Sequence, residues 1–362
     1  MSGGSPFDFK CFYLVRAHPH RGCAHARGAQ VRLRVSLALP ARASGGQLVV
    51  GAALLLASFS NTENSDMSGK RPETLSELAE CMRITPGVLT SLSYAADRHY
   101  RVFRIEKSRR GRYRTIFAPS SVLKGVQKWI ARNILSEIRL GDCCIAFRKG
   151  VSILDGARRH TNRRFVLNID LKNFFESINY RRVVSLFFSL GFSAEFAPLL
   201  ANLTTVRGFV PQGAPSSPVI ANLVLRRLDR RLLGLSENRR WIYTRYADDI
   251  TFSSDRPFSR QSICFVASII RSEGFAINQE KTRVSGIRSR QEVTGLTVNG
   301  GVSPSRRWRR RLRAQVHRFC VSPTDFSDEL GRIVGSFAFW KMVQPSSGAL
   351  GTLRSMITKA KS

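Results

Sequence analysis

The chain has 362 residues, of which 43% are hydrophobic, enough for a buried core in one to three domains. Its formal net charge of +33 favours a polyanionic partner, above all nucleic acid, with an anionic membrane surface as the second candidate. Seven cysteines without a CxxC pair and six histidines without metal-ligand spacing argue against a disulfide scaffold and a structural zinc, and for a cytoplasmic protein.

The first 66 residues are rich in Gly, Ala, Ser and Arg and show no clear period. Their apolar run at 47–59 is shorter than the about 20 residues of a membrane span, so no membrane association is expected. After Met67, the pair Thr74 and Glu77 has the spacing of a helix capping box. We therefore expect residues 1–66 to be an upstream extension, with a disordered or targeting leader as the alternative, and residues 67–100 to form an N-terminal helical segment.

The periodicity of the remaining chain predicts alternating strands and helices. Strands are expected at 101–107, 113–118, 163–171, 240–246, 250–254 and 292–299, and helices at 74–83, 121–138, near 180–190 and 194–203, after the Pro/Gly turn in 208–233, near 259–273 and from Ser305 onward. This order predicts an α+β fold, with a small antiparallel sheet backed by helices and followed by a basic helical tail.

Three aspartates stand at the ends of predicted strands. Asp170 closes a buried apolar strand, and Asp248 and Asp249 lie on the tight turn of "YTRYADDITFSS". If these strands are neighbours, the three carboxylates would repel one another unless a cation compensates them. Two Mg²⁺ ions, with Mn²⁺ as the alternative metal, would suit such oxygen ligands and phosphoryl transfer. An ordinary Asp-rich turn is the other interpretation.

The surrounding motifs make the first interpretation the stronger one. "YADD", preceded by "VLNIDLKNFFESI" and "VPQGAPSSP", resembles the palm of a reverse transcriptase, and the resemblance covers about residues 95–345. "VTG" at 293–295 and "ARRH" at 157–160 look like marks of the bacterial retron type, although Gly156 replaces that family's usual Asn. The resemblance implies a right-hand polymerase with fingers and palm in 101–300 and a helical basic thumb in 301–362.

The same resemblance assigns roles to individual residues. Asp170 and Asp248 would bind the metal ions, with Asp249 as the third carboxylate. The incoming dNTP would be bound by fingers arginines, by backbone N–H groups after Asp170, by a glutamine beside the templating base and by a lysine near the departing pyrophosphate; these residues are Arg112, Arg114, Leu171, Asn173, Phe174, Gln212 and Lys281. Phe175 would exclude a ribose 2′-OH, and one of Phe174 and Phe175 is expected to pack in the core. His160 is either functional or a structural histidine, and 293–299 would form a hairpin that grips the primer.

The stretch 306–313, "RRWRRRLR", carries six arginines in eight positions. On a helix they would surround most of the circumference, so only some could follow the phosphates of one duplex. The candidates are Arg306, Arg307, Arg309, Arg310 and Arg313, with Trp308 either stacking on nucleic acid or packing inward. A solvated charge run is the alternative.

The leading functional hypothesis is an RNA-directed DNA polymerase of retron type. The resemblance implies that it copies a cognate structured non-coding RNA into a short branched single-stranded DNA from dNTPs, and that it acts with a separate effector protein in antiphage defence. Another bacterial reverse transcriptase, group II intron-like or defence-associated, is the first alternative. An RNA-binding scaffold that holds an effector is the second, and the intact aspartates argue against it.

Overall fold

The computed structural model describes residues 71–106, 111, 113–322 and 329–361, with side chains described up to residue 358. The predictions for residues 1–66, for Met67 and for Arg112 lie outside the described residues. The first described helix, α1 (Leu75–Met82), begins as its capping box predicts, since the Thr74 hydroxyl accepts a hydrogen bond from the Glu77 N–H. Helix α2 (Pro86–Tyr94) follows and lies within the helical segment predicted for 67–100, although its own bounds were not predicted.

A two-stranded antiparallel hairpin comes next, as predicted. It consists of β1 (Tyr100–Glu106) and β2 (Tyr113–Pro119). Helix α3 (Ser121–Ile130) then leads into a wider π-helical turn at 131–135, so the predicted single helix over 121–138 is wrong in its second half. The apolar period itself holds, since Val126, Ile130 and Ile134 are all buried.

The central sheet has four antiparallel strands in the order β4-β5-β3-β6. Their bounds are β3 Phe165–Lys172, β4 Ile242–Tyr246, β5 Asp249–Ser254 and β6 Ala276–Gly286. Strand β3 therefore lies between β5 and β6, which makes the strand of Asp170 a direct neighbour of the strand that follows the "ADD" turn. One face of the sheet, with Leu167, Ile169, Ile250 and Phe252, is fully buried in the main core.

Helices pack on both faces of this sheet. They are α4 (Ile153–Arg159), α5 (Tyr180–Ser189), α6 (Phe196–Thr204), α7 (Ser217–Val224), α8 (Arg226–Arg239) and α9 (Arg260–Ser272). The single long helix predicted after the Pro/Gly turn is two helices, α7 and α8, which meet at Leu225. This break lets α8 present Asp229 to the sheet.

The strand predicted over 292–299 is also wrong. The segment forms β7 (Glu292–Val293) and β8 (Leu296–Thr297), with β9 (Ser303–Pro304) as the third strand of a small antiparallel sheet. The chain reverses at Thr294 and Gly295, which have φ of 47° and 84°. Glycine adopts this left-handed conformation without steric cost, so "TG" makes a tight turn where alternation alone predicts a continuous strand. The hairpin expected here is confirmed.

Three helices complete the described chain and share a core of their own. They are α10 (Arg306–Val321), α11 (Leu330–Val343) and α12 (Gly348–Lys361). Leu312, Val316, Ile333 and Trp340 are buried between them. The Trp308 ring packs inward, 5.3 Å from Phe339 and 6.1 Å from Trp340 between ring centroids, which decides between its two predicted placements. In the part of the chain that the structure describes, no helix combines the length and apolar character needed to cross a bilayer.

Candidate active site

A single row of residues crosses the central sheet at the end of β3. Asp170 is paired with Asp249 on one side and with Asn278 on the other, and Asp249 is paired with Tyr246. Directly paired residues of neighbouring strands point to the same face of a sheet. The sheet therefore places the side chains of Tyr246, Asp249, Asp170 and Asn278 side by side on one face. The strands of Asp170 and Asp249 are neighbours, which is the condition under which the sequence analysis expects their carboxylates to meet.

The third carboxylate belongs to the turn that closes the β4–β5 hairpin. Ala247 has a φ of 55°, and the Asp248 carbonyl accepts a hydrogen bond of 2.9 Å from the Leu171 N–H. This bond fixes the turn against the end of β3, which brings Asp248 next to the row. The same bond engages the Leu171 N–H within the protein, and the predicted contact of Leu171 with a phosphate stays a prediction. Asn173, with a φ of 49°, lies in the turn that follows.

The three carboxylates affect one another electrostatically. Burial, followed by the negative charges of Asp248 and Asp170, raises the pKa of Asp249 to about 7. Burial is also the main cause that raises the pKa of Asp248, with Asp170 adding to it. The positive groups around the site therefore do not fully compensate the negative charge of the three carboxylates. A bound cation would reduce the repulsion between them.

On the side opposite Asp249, Asp170 contacts residues from an irregular part of β6. The register of β6 against β3 shifts between Asn168 and Asp170, so the β6 segment containing Lys281 bulges out of the ladder. The Lys281 Nζ lies 2.7 Å from Asp170 Oδ1, and the Asn278 amide lies 3.3 Å from Oδ2. The structure places the ammonium group of Lys281 at the Asp170 carboxylate, and the predicted role of Lys281 toward departing pyrophosphate stays a prediction.

The donor set fits a hard divalent cation, since all three side chains offer carboxylate oxygens. Among the described residues, no group of three His, Cys, Asp or Glu side chains is already arranged to hold a metal. Asp170, Asp248 and Asp249 are the residues that would hold a divalent ion, which would compete with Lys281 for the Asp170 carboxylate.

A buried ion pair beneath the hairpin was missed by the sequence analysis. Arg245 is fully buried and makes two bonds of 2.7 Å to Asp229 of α8, one from Nε and one from Nη2. Its Nη1 donates to Asn222 Oδ1 at 3.1 Å and to the Ala247 carbonyl at 3.2 Å, and the Tyr243 hydroxyl donates to Asp229 at 2.7 Å. The turn of Ala247 and Asp248 is thus tied to α7 and α8. The sequence contains one indication of this ion pair: Arg245 lies two residues after the buried Tyr243 and therefore on the same face of the strand.

Gln212 and Arg114, which were predicted to bind the nucleotide, both lie at strand β2. The Gln212 carbonyl accepts a 2.8 Å hydrogen bond from the Phe117 N–H of β2, and a Cβ on Gly213 would lie 2.8 Å from the Phe117 carbonyl oxygen. Glycine is therefore required where the "PQG" loop meets the fingers hairpin. Arg114, exposed on β2, is close enough for its charge to lower the pKa of Asp248 in part.

The two phenylalanines after Asp170 have different environments. Phe174 is 5% exposed and belongs to the main core, whereas Phe175 is half-buried with its ring 5.1 Å from that of Phe174. Phe174 is thus the packing residue of the pair, and Phe175 is the ring that reaches the surface. His160 is the structural alternative: it is buried between the hydroxyls of Ser253 and Thr244, and burial lowers its pKa to about 3.

The predicted phosphate-binding arginines lie on α10 of the thumb. Arg306, Arg307, Arg310 and Arg313 are exposed and Arg309 is half-buried, while Leu312 and Val316 face the helical core. Their role in nucleic-acid binding stays a prediction.

Comparisons with known proteins identify the family of the chain. The family described as "Reverse transcriptase (RNA-dependent DNA polymerase)" matches residues 105–299. The "Retron Ec86 reverse transcriptase" of Escherichia coli is 39% identical over 280 residues, which cover 75% of this chain and 85% of that protein. The "Retron Mx65 reverse transcriptase" of Myxococcus xanthus is 37% identical over 295 residues, covering 75% and 69%.

Among solved structures, telomerase from Candida albicans with a fragment of telomeric RNA is matched with a TM-score of 0.44 and 11% identity, over 72% of this chain and 63% of that one. The family match spans the fingers hairpin, all four strands of the central sheet and the β7–β8 hairpin, and so includes the carboxylate row. The chain belongs to the retron reverse transcriptases and is an RNA-directed DNA polymerase.

Proposed function

We propose that this reverse transcriptase carries out nucleotidyl transfer at Asp170, Asp248 and Asp249. The observation that carries the proposal is the cross-strand pair of Asp170 and Asp249 beside the Asp248 turn, with the pKa of both turn aspartates raised. Perturbed carboxylates at the end of a sheet, open to an anionic substrate, are typical of catalytic centres.

Reverse transcriptases generally use divalent metal ions. We propose that Asp170 and Asp248 would hold two Mg²⁺ ions, with Asp249 next to them. When bound, such ions lower the pKa of the attacking hydroxyl and neutralise charge on the triphosphate and the leaving pyrophosphate. Asp249 would keep the cluster anionic enough to attract them.

The other residues of the site would position the nucleotide. Arg114 lies near Asp248 and suits the triphosphate because a guanidinium group binds phosphate oxygens bidentately. Gln212 would line the base pocket, held there by its carbonyl bond to β2. Phe175 would stand under the sugar and favour dNTPs. Lys281 would leave Asp170 when a metal ion binds and then meet the phosphates.

The product is proposed from the retron relatives. We infer that the chain copies part of a cognate non-coding RNA into a short single-stranded DNA that stays branched to the RNA through a 2′ linkage. A separate effector protein and a role in antiphage defence belong to the same proposal, as does a cytoplasmic location.

The product proposal is tested by co-expressing the chain with the transcript that flanks its gene. We expect a short DNA that still carries one ribonucleotide branch after RNase digestion and that loses it on treatment with a 2′,5′-debranching enzyme. DNA with an ordinary free 5′ end, unaffected by debranching, would contradict retron-type priming.

Residues 1–66 are expected to be dispensable. A protein starting at Met67 keeps α1, its capping box and the whole carboxylate row. It should therefore extend a primer on an RNA template at the rate of the full chain. A shortened protein that folds, as judged by circular dichroism, and still fails to extend would contradict the expectation.

The exposed arginines of α10 are expected to bind phosphates without reading sequence. Replacing Arg306, Arg307 and Arg310 by Gln should weaken RNA binding and reduce the slope of log affinity against log salt by up to about 0.7–0.9 per lost contact. The matched control replaces Arg226, Arg230 and Arg239, which are exposed on α8 behind the sheet. Equal slopes in both triple variants would reject a specific phosphate-binding role for α10.

A further inference from the structure

The loop at 141–150 carries an aromatic residue in an unfavourable backbone conformation. Phe147 has a φ of 58°, in the left-handed region that bulky side chains rarely adopt. Among the described non-glycine residues with positive φ, Phe147 is the one aromatic; Arg83 and Arg240, for comparison, end helices, where this conformation is common. Strained backbone of this kind persists only where the surroundings fix it, and it clusters at functional sites.

The surroundings of Phe147 do fix it. The loop pairs with β4 through bonds from the Arg245 N–H to the Cys143 carbonyl (2.8 Å) and from the Ile145 N–H to the Arg245 carbonyl (2.9 Å). The Asn222 amide donates to the Ala146 carbonyl at 2.8 Å, and Arg148 donates to two loop carbonyls at 3.0 and 3.1 Å. Cys144, Ile145 and Ala146 are buried. The loop is rigidly attached to the ion-pair network under the catalytic turn.

The side chain that this loop presents is not itself buried. Phe147 is 48% exposed, and its ring centroid lies 6.3 Å from that of Tyr246 at a tilt of 40°. Tyr246 is the first residue of the row that continues with Asp249 and Asp170. The Phe147 ring therefore lies beside the first residue of the row that contains the carboxylates. A ring held there for packing alone would be covered, and a strained backbone would not be needed to expose it.

We propose that Phe147, with Tyr246, forms an apolar surface against which the last base pair of the growing RNA–DNA duplex packs, so that the primer end is held at the carboxylates. The inference rests on the proposed function of Asp170, Asp248 and Asp249. A duplex whose reactive end lies at those carboxylates has to pass the neighbouring rings. Aromatic side chains suit this contact, because every base and sugar offers an apolar surface and the contact tolerates any sequence.

The test distinguishes the effect of losing the Phe147 ring from the effect of relieving the backbone strain at this residue. Phe147→Gly removes the ring and also relieves the positive φ, so the variant should be at least as stable as the wild type. Addition of the first nucleotide to a preformed RNA–DNA duplex should nevertheless slow about tenfold or more at saturating dNTP, in keeping with the loss of one aromatic contact to nucleic acid. The KM for dNTP should stay unchanged, because that pocket lies at Gln212 and Arg114. Phe147→Tyr, which keeps the ring, should extend like the wild type.

The matched control is Arg240→Gly, at an exposed position with a φ of 55° at the end of α8. This substitution relieves a positive φ at a position outside the carboxylate row, so the rate of primer extension should be unchanged. The proposal is overturned if Phe147→Gly is stable and extends at the wild-type rate, or if it loses stability together with activity, which would make the ring a packing element. Continued extension by Asp248→Asn would instead reject the proposed catalytic site, whatever Phe147 does.

Discussion

Replacing Asp249 by Asn is expected to stabilise the metal-free protein at neutral and alkaline pH while removing its polymerase activity. Asn keeps the size of the side chain and lacks the charge that burial, Asp248 and Asp170 disfavour. The same negative charge is what a divalent cation needs for binding. A gain in stability with a loss of activity is therefore the signature of a carboxylate kept for chemistry rather than for folding.

The pH dependence of this gain follows from the direction of the pKa shift. Folding raises the pKa of Asp249 from an ordinary 3.8 to about 7, so the folded protein binds the proton more tightly than the unfolded chain. Below pH 4 both states are protonated and the variant should gain nothing. Between pH 4 and 7 the wild type loses stability as the pH rises. Above pH 7 the difference is complete, with an upper bound of about 4 kcal/mol for a shift of this size.

Chemical denaturation in EDTA at pH 4, 6 and 8 measures the difference. We expect the two free energies of unfolding to converge at pH 4 and to differ most at pH 8. An Asp249→Asn protein that is less stable than the wild type at pH 8 would contradict the electrostatic account of the row.

Removing Asp229 is expected to have the largest effect on stability. Asp229→Leu leaves the Arg245 guanidinium buried without its carboxylate, and uncompensated buried charges of this kind cost about 3–5 kcal/mol. Replacing both residues, as in Asp229→Leu with Arg245→Met, should recover much of that loss, because the buried charge disappears as well. Extension by the double variant should stay low, since the Ala247 carbonyl no longer has its donor and the catalytic turn is less well held.

The control is the exposed pair of Arg163 and Asp255, whose atoms lie 2.6 Å apart at the far end of β3. Breaking an exposed pair typically changes stability by about 1 kcal/mol or less. Equal losses in Asp229→Leu and Asp255→Leu, measured by urea denaturation, would show that the buried pair is not a special support of the hairpin.

The sequence allows the centre of this site to be predicted because its determinants are local. The strand before Asp170 and the strands around "ADD" each have their own apolar pattern, and a tight turn places two strands side by side. The antiparallel order and the neighbouring position of β3 then follow from the three motifs. The capping box at Thr74 is equally local in origin.

The remaining parts depend on contacts between distant segments. Arg245 pairs with Asp229, which lies sixteen residues earlier in the chain. Asp229 belongs to α8, and the sequence pattern alone predicts α7 and α8 as one continuous helix. The bulge that turns Lys281 toward Asp170 is a register shift, which side-chain periodicity does not encode. The exposed ring of Phe147 lies in a loop whose conformation is set by Asn222 and Arg245. Leu171 was assigned to phosphate from the family resemblance, and the bond from its N–H to the "ADD" turn is visible only in three dimensions.

The most direct test of the whole account is primer extension on an RNA template with dNTPs and Mg²⁺, comparing the wild type with the double variant Asp248→Asn, Asp249→Asn. RNA binding is measured in parallel and should survive or improve, since removing two carboxylates relieves repulsion of the phosphates. We expect the wild type to extend and the double variant to show no extension, because phosphoryl transfer depends on positioning and charge stabilisation at these ligands. A double variant that binds RNA normally and extends at the wild-type rate would place the chemistry elsewhere and leave the "ADD" turn as an ordinary hairpin.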